Sequence, residues 1–531
     1  MFLPAQSGRK FARSCAAFAV LGASFFASAA QPDDWLTPGG NEPQMARPAP
    51  EITPFLIRGI RFEGVEAPDI VADAARPFIA RTATRQTLAD LANALTGAYA
   101  KTDIAFYSVA IPKQSFTDGV IRVLISEGRI ENVSFSGETE GRRHRMVTAY
   151  AERLQAPGPT SRAEFERTVS LARDIPGLIV EPSFSEGAGA GEVKLDMVLD
   201  YQKPTITFGF SNRTSRLVRD GQFSALGRAY RLLRDGDETS LRLGGSVNFK
   251  DALQAGLTHS TRLGNNGVRG EIGAAVVRTS PPETPITGDA QIYGVNIAAP
   301  LIRSYKRNLY LRGGLGAVNS DNAAFGSLIA TERTRAARLS ATYSEKRGRT
   351  EYRLRGEIAQ GIDMLGADVS PLIGEPQFTK VTAQLGLSQR IGKSVYVRAN
   401  GSGQWTDNLL PANERFSVGG ARFGRAFETS LLNADRGFAF LIEPAWRPIS
   451  GGAFSHSEIF LFADYAQADV FSRSGGDTID IDLGSFGAGL RAAYRDKGML
   501  ELEVARPYNQ PIPGYDQDWR FSVSWKLDIK P

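Results

Sequence analysis

The 531-residue sequence has one cysteine and three histidines. A single thiol excludes an internal disulfide and any zinc site built on two or more thiolates. His144, His259 and His456 are scattered without metal-ligand spacing, so neither a metal nor a cofactor is expected. Past the first thirty residues no stretch approaches the ~18 consecutive apolar residues of a spanning helix. Charge of one sign is not concentrated either. The 62 basic residues face 57 acidic ones with no basic block, which argues against a nucleic-acid partner. No G-x-S-x-G occurs. Gly392-Lys393-Ser394 resembles the end of a phosphate-binding loop, but Leu387 stands where its first glycine belongs, and a hairpin turn accounts for it. No enzyme is expected from this inventory.

What is present begins with an export pattern. Arg9, Lys10 and Arg13 precede the short apolar run CAAFAVLGASFFASAA, which ends in Ala27-Ser28-Ala29. This order predicts a cleaved signal over residues 1–29. Its removal takes Cys15 and three positive charges, leaving a nearly neutral, thiol-free chain. Residues 30–54 hold six prolines and Gly39-Gly40 and read as an extended linker.

From Phe55 the pattern is mixed α and β. FLIRGIRFEG alternates as a strand does, 68–78 and 85–102 carry apolar residues three and four apart, and FYSVAIP and VIRVLIS read as two further strands. The same order returns: strand RIENVSFSG, helices over 142–155 and 161–174, then strands LIVEPSFS and EVKLDMVLD. Two α+β copies, 55–127 and 128–203, are expected from this repeat.

Beyond Pro204 helical periodicity disappears, and sixteen segments of β character can be marked over 204–531. In WRFSVSWKL, Trp519, Phe521, Val523, Trp525 and Leu527 face one way and the polar residues the other. An open sheet of this size would expose edges and a broad apolar face, whereas a barrel closed in a membrane uses both faces. A soluble propeller or solenoid would need a short recurring motif, and none recurs. The expected fold is a transmembrane β-barrel of sixteen antiparallel strands behind two periplasmic α+β domains. Its longest connection, Asp407 to Arg436, follows the eleventh strand and contains FSVGGARFGRAFETS. By itself this reads as a glycine-rich surface loop. In FLFADYAQA of the thirteenth strand, Phe460, Phe462 and Asp464 share a face, and the carboxylate is expected to point into the lumen because lipid-facing charge is costly.

VGGARFGRAFE resembles the loop-six signature of the outer-membrane protein 85 superfamily, and FADYA resembles its strand-thirteen motif. Both depart from the usual pattern, with Ala426 and Ala466 in place of glycine. LADLANALTGAYA and AIPKQSFTDGVIRVLISEGRI resemble the polypeptide-transport-associated (POTRA) domain. Pro112, Gln114, Asp118, Gly119, Glu127 and Gly128 match the form found in two-partner secretion transporters, the TpsB group of ShlB, FhaC and HecB. The resemblance implies an outer-membrane pore, without a cofactor, that recognises an unfolded exoprotein through its POTRA domains and passes it to the cell surface. It implies a loop motif of Gly419, Gly420, Arg425 and Phe427, tethered in the lumen through Phe462 and Asp464, with Arg425 and Asp464 as the charged pair. A cargo groove is expected between strand 106–111 and helix 85–102, with Leu88, Leu91, Leu95, Phe106 and Val109 as its apolar contacts. The implied partners are the exoprotein, outer-membrane lipid and, during biogenesis, the barrel-assembly machinery; a monomer is expected. An insertase for other barrels is the alternative, and a diffusion porin would have no use for POTRA domains.

Overall fold

The computed structural model describes residues 54–530 except 116–117, 139–144, 190, 216–217, 219, 283, 326, 512–514 and 516–517. The expected signal, and the linker as far as residue 53, lie outside the described residues. The described chain divides into two compact units: 54–174 with 178–201, and 202–530 with 175–177.

In the N-terminal unit the elements run β1 (Gly59–Glu63), α1 (Asp69–Ala75), α2 (Arg85–Tyr99), β2 (Phe106–Ala110), β3 (Val120–Gly137), α3 (Arg145–Ala151), α4 (Arg162–Arg173), β4 (Leu178–Glu186) and β5 (Glu192–Tyr201). Local chemistry starts the two longer helices. The Thr84 hydroxyl accepts the Thr87 N–H at 3.1 Å, and the Ser161 hydroxyl accepts the Glu164 N–H at 3.2 Å, each satisfying an otherwise orphaned amide. Leu88, Leu91 and Leu95 fall on one face of α2 and are buried with Ile121, Val123 and Ile125 of β3.

The sequence reads VIRVLIS and RIENVSFSG as separate strands; the structure joins them. β3 runs eighteen residues through Glu127-Gly128 without a break. Its first part pairs with β1 in parallel and with β2 antiparallel, and its second part pairs with β5, which carries β4. Gly128 makes this possible, because a Cβ there would lie 2.5 Å from the Cβ of Phe106 on β2.

The second unit is a closed barrel of sixteen long antiparallel strands, from Thr205–Ser211 (first) to Arg520–Ile529 (sixteenth). The sixteenth closes on the first over six residue pairs, Ile206↔Ile529 to Ser211↔Ser524. Alternation sets the two faces: in the twelfth strand (Arg436–Trp446) Phe438, Phe440 and Ile442 are exposed outward, while Ala439, Leu441 and Glu443 are buried inward. The sixth (Ile286–Arg303), seventh (Arg307–Ala324) and eighth (Ser327–Arg347) strands have 18, 18 and 21 residues, longer than their sequence pattern indicates and well over the ~9–11 a tilted membrane strand needs. Polar stretches such as Asn319-Ser320-Asp321-Asn322 keep pairing across to their neighbours.

Candidate functional site: a loop seated in the barrel lumen

The eleventh strand (Val395–Trp405) and the twelfth are joined by a connection that folds back into the barrel. A one-turn 3-10 segment, Ala412–Glu414, leads to a short hairpin in which Phe416–Val418 pairs with Leu432–Ala434. At its tip Gly419, Gly420 and Gly424 have φ of +105°, +100° and +70°. A Cβ on Gly419 would sit 2.2 Å from the Glu428 carbonyl oxygen, so glycine is required there by both conformation and space. Phe416, Val418, Phe423 and Phe427 of the loop pack in one cluster with inward residues Leu441, Phe460, Phe462 and Leu483 of the twelfth to fourteenth strands. The thirteenth strand is Glu458–Val470, the fourteenth Ile479–Tyr494 and the fifteenth Gly498–Pro507.

Polar anchors complete the seat. The Asp464 carboxylate faces inward, as its strand phase requires, and is buried. It accepts the backbone N–H groups of Gly424 (2.9 Å) and Arg425 (3.1 Å) and the Ser485 hydroxyl (2.8 Å). The Arg425 guanidinium goes elsewhere. It donates to Glu443 at 2.9 Å and Glu503 at 3.1 Å, tying the twelfth strand to the fifteenth, and lies 4.7 Å over the Phe462 ring. The expected side-chain pair between Arg425 and Asp464 is therefore corrected: the carboxylate grips the loop's backbone, and the guanidinium bridges two other carboxylates. Three donors already occupy Asp464, whereas Glu443 and Glu503 bring negative charge into a dry wall and require a cation.

Sequence reasoning did not find these partners. Glu443 is shared among Arg425, Arg491 (2.7 Å) and Arg398 (2.9 Å), and Arg491 also bonds Glu458 (2.7 Å) and Glu501 (2.6 Å). The available signal was charge at inward-phase positions of neighbouring strands.

Two further clusters hold the loop's base. Glu414 pairs with Lys380 at 2.9 Å and with Arg338. Burial works to raise the pKa of this loop carboxyl, yet Arg338 and Lys380 hold it at about 2. Asp435 receives the Arg473 guanidinium at 2.6 and 2.7 Å and the N–H groups of Leu410 and Phe471. The two departures from the family motif fit without strain. Ala426 is fully buried, with its N–H on the Ser485 hydroxyl at 3.3 Å and its φ outside the left-handed region, and Ala466 packs in the same cluster.

The expected cargo groove is filled. Leu88, Leu91 and Leu95 are committed to the core of their own domain. Tyr107 stacks on Tyr99 at 4.9 Å between β2 and α2, and Val109 is half-buried against that core. Phe106 points instead to the second α+β copy, with its ring 5.6 Å from Phe165 and 5.3 Å from Phe184. An amphipathic helix buries its leucines in the nearest sheet, and here that sheet is its own. The outer edge of β2 has no strand partner among the described residues.

Comparison with known proteins agrees with this geometry. Residues 275–492 match the family described as haemolysin secretion/activation protein ShlB/FhaC/HecB, and residues 55–128 match the ShlB-type POTRA domain. No curated protein sequence matches significantly. Among solved structures, CdiB from Escherichia coli superposes with a TM-score of 0.69 at 16% identity, covering 91% of this chain and 93% of that one. CdiB from Acinetobacter baumannii gives 0.63 at 16% identity over 100% of both chains. BamA from Haemophilus ducreyi lacking POTRA domains 1–3 gives 0.55 at 13% identity over 90% and 100%. At these identities the superpositions establish the fold. The two matches together span more than half of the sequence and are of one type: residues 275–492 carry the ShlB/FhaC/HecB haemolysin secretion/activation domain and residues 55–128 the ShlB-type POTRA domain.

Proposed function

We propose that this chain is an outer-membrane transporter that receives an unfolded exoprotein in the periplasm and passes it to the cell surface. One observation carries the reading: a loop seated in the lumen by polar contacts to Asp464, Glu443 and Glu503. Hydrogen bonds and ion pairs fix one register while bound and can be remade after release, which suits a barrier that must clear a channel and return. A sixteen-stranded barrel is wide enough to hold a water-filled path.

In this reading residues 1–29 are the export signal, 55–127 and 128–203 the two periplasmic receivers, and 204–531 the membrane barrel. The outer edge of β2, with its unpaired backbone, receives the cargo by strand addition, and Tyr107 and Val109 flank it in place of the leucine groove. Folding of the cargo outside draws it through. The protein works as a monomer, inserted by the barrel-assembly machinery.

Deleting the gene and comparing surface and released proteins tests this. The expected result is loss of one large exported protein, restored by the wild-type chain and not by one with Val109→Pro, which removes a backbone donor from β2. An unchanged set of exported proteins, together with purified protein that inserts other barrels into liposomes, would support the insertase reading in its place.

A further inference from the structure

The outward wall of the barrel is hollow beside its closing seam. Ala225 of the second strand (Gln222–Tyr230) and Ala255 of the fourth (Ala252–Arg262) both pair with Leu243 of the third (Glu238–Ser246), and Gly245, two residues further along the third, pairs with Phe223 and Leu253, so three small outward residues lie diagonal to one another. Phe208, Phe223, Leu243, Leu253 and Trp525 rise around them and leave a concavity of about 850 Å³. This lies within the ~300–1,000 Å³ typical of ligand pockets. Outward positions of the twelfth strand, by contrast, are filled by Phe438, Phe440 and Ile442. The small residues make the hollow, and the aromatic rings make its walls: Phe223 lies 5.1 Å from Phe210 and 6.5 Å from Trp525.

Charge appears at one end of the hollow. Arg278, near the end of the fifth strand (Arg269–Thr279), donates to Asp289 of the sixth at 2.7 Å, and their side chains are 72% and 56% exposed on the outward face. The exposed Lys250 follows Phe249, another lining residue, in the turn between the third and fourth strands. A guanidinium on the outward wall is costly at the bilayer midplane but tolerated near its surface. The turn after an odd-numbered strand faces the cell exterior when both barrel ends and the N-terminal unit are periplasmic, so this rim meets the outer leaflet.

We propose that the hollow binds a phosphorylated glycolipid of the outer leaflet. Acyl chains fill the space over Ala225, Gly245 and Ala255. The phosphate is held by the forked donors of Arg278 with Lys250, and sugar hydroxyls donate to Asp289. Charge complementarity selects this occupant, since a purely apolar groove would take any acyl chain, whereas a cationic rim joined to the groove favours an anionic headgroup. Phe208 and Trp525 belong to the first and sixteenth strands, so the bound lipid touches both sides of the six-pair seam and braces it. The inference rests on the outer-membrane reading above.

The test uses the full chain in phosphatidylethanolamine–phosphatidylglycerol vesicles with or without bis-phosphorylated lipid A, followed by mild detergent extraction and native mass spectrometry. Wild type is expected to retain lipid A at least tenfold over phosphatidylglycerol, with a higher unfolding temperature when it is bound. Arg278→Gln with Lys250→Gln should lower retention at least tenfold. Ala225→Phe, which fills the hollow and leaves the rim intact, should do the same, and dephosphorylated lipid A should be retained poorly by wild type. Heat-modifiable barrels whose lipid A retention is unchanged in both variants, or equalled by phosphatidylglycerol, overturn the lipid site alone. A chain that becomes heat-modifiable in no vesicle overturns the membrane reading and the lipid site with it.

Discussion

Asp464 and Arg425 meet through the side chain of one and the backbone of the other: the carboxylate accepts the Arg425 N–H at 3.1 Å while the guanidinium bonds Glu443 at 2.9 Å. The loop therefore has two anchors with separate chemistry, and substitution should resolve them. Arg425→Ala leaves the Asp464–amide bonds in place but removes a cation shared by Glu443 and Glu503. The expected loss is about 3 kcal/mol, the low end for breaking a buried pair, because Glu443 keeps Arg491 and Arg398. In double-mutant cycles read by the denaturant midpoint of the barrel, Arg425→Ala should couple more strongly to Glu443→Ala than to Asp464→Ala. The reverse order would reinstate a direct Arg425–Asp464 pair.

The loop tip distinguishes two small residues. Gly419→Ala places a Cβ 2.2 Å from the Glu428 carbonyl at a φ of +105° and should unseat the loop, raising pore conductance in planar bilayers. Ala426→Gly restores the usual family residue at a position whose φ does not need glycine. It should change barrel stability by no more than about 1 kcal/mol and leave conductance unaltered. A large conductance change from Ala426→Gly would mean that the backbone bend depends on that side chain.

Glu414 gives the loop's base a pH dependence. Its pKa in the folded chain, about 2, lies below the ordinary carboxylate value of 4.5, so the Glu414–Lys380–Arg338 cluster contributes fully above about pH 4.5 and loses its contribution as pH falls toward 2. The shift corresponds to about 3 kcal/mol. Stability should be flat in this respect from pH 7 to 5 and decline between pH 4.5 and 3. Glu414→Gln should lie below wild type at neutral pH and show a shallower decline. Parallel profiles for the two proteins would refute this assignment.

Strand phase made much of this site legible. Asp464 sits two and four residues from Phe462 and Phe460, and alternation alone sends all three inward. The partner of Arg425 was not legible, because which inward residues reach a returning loop depends on strand order and stagger around the barrel. Glu443, Arg425 and Glu503 are brought together only by closure. The outer ends of the sixth to eighth strands run past the alternating pattern for a different reason. Residues 319–322 are polar on both faces, so their pairing rests on backbone hydrogen bonds that leave no periodic signature. Leu88, Leu91 and Leu95 show the limit of amphipathicity as a guide to binding, since the same spacing describes a core face and a groove wall.

The shared strand of the N-terminal unit offers the last test. Gly128 lies where β3 passes from one copy to the next, opposite Phe106 in the β2 ladder. Gly128→Ala would set a Cβ 2.5 Å from the Phe106 Cβ, and the lighter partner must move: β2 is five residues long and pairs on one edge, whereas β3 is gripped by β1 and β5. Hydrogen exchange should therefore quicken at the amides of residues 106–110, while the Leu178–Tyr201 hairpin keeps its protection. Because Phe106 also carries the ring contacts to Phe165 and Phe184, those aromatics should loosen along with β2. Faster exchange across both copies would instead mean that the two fold as one cooperative unit through β3.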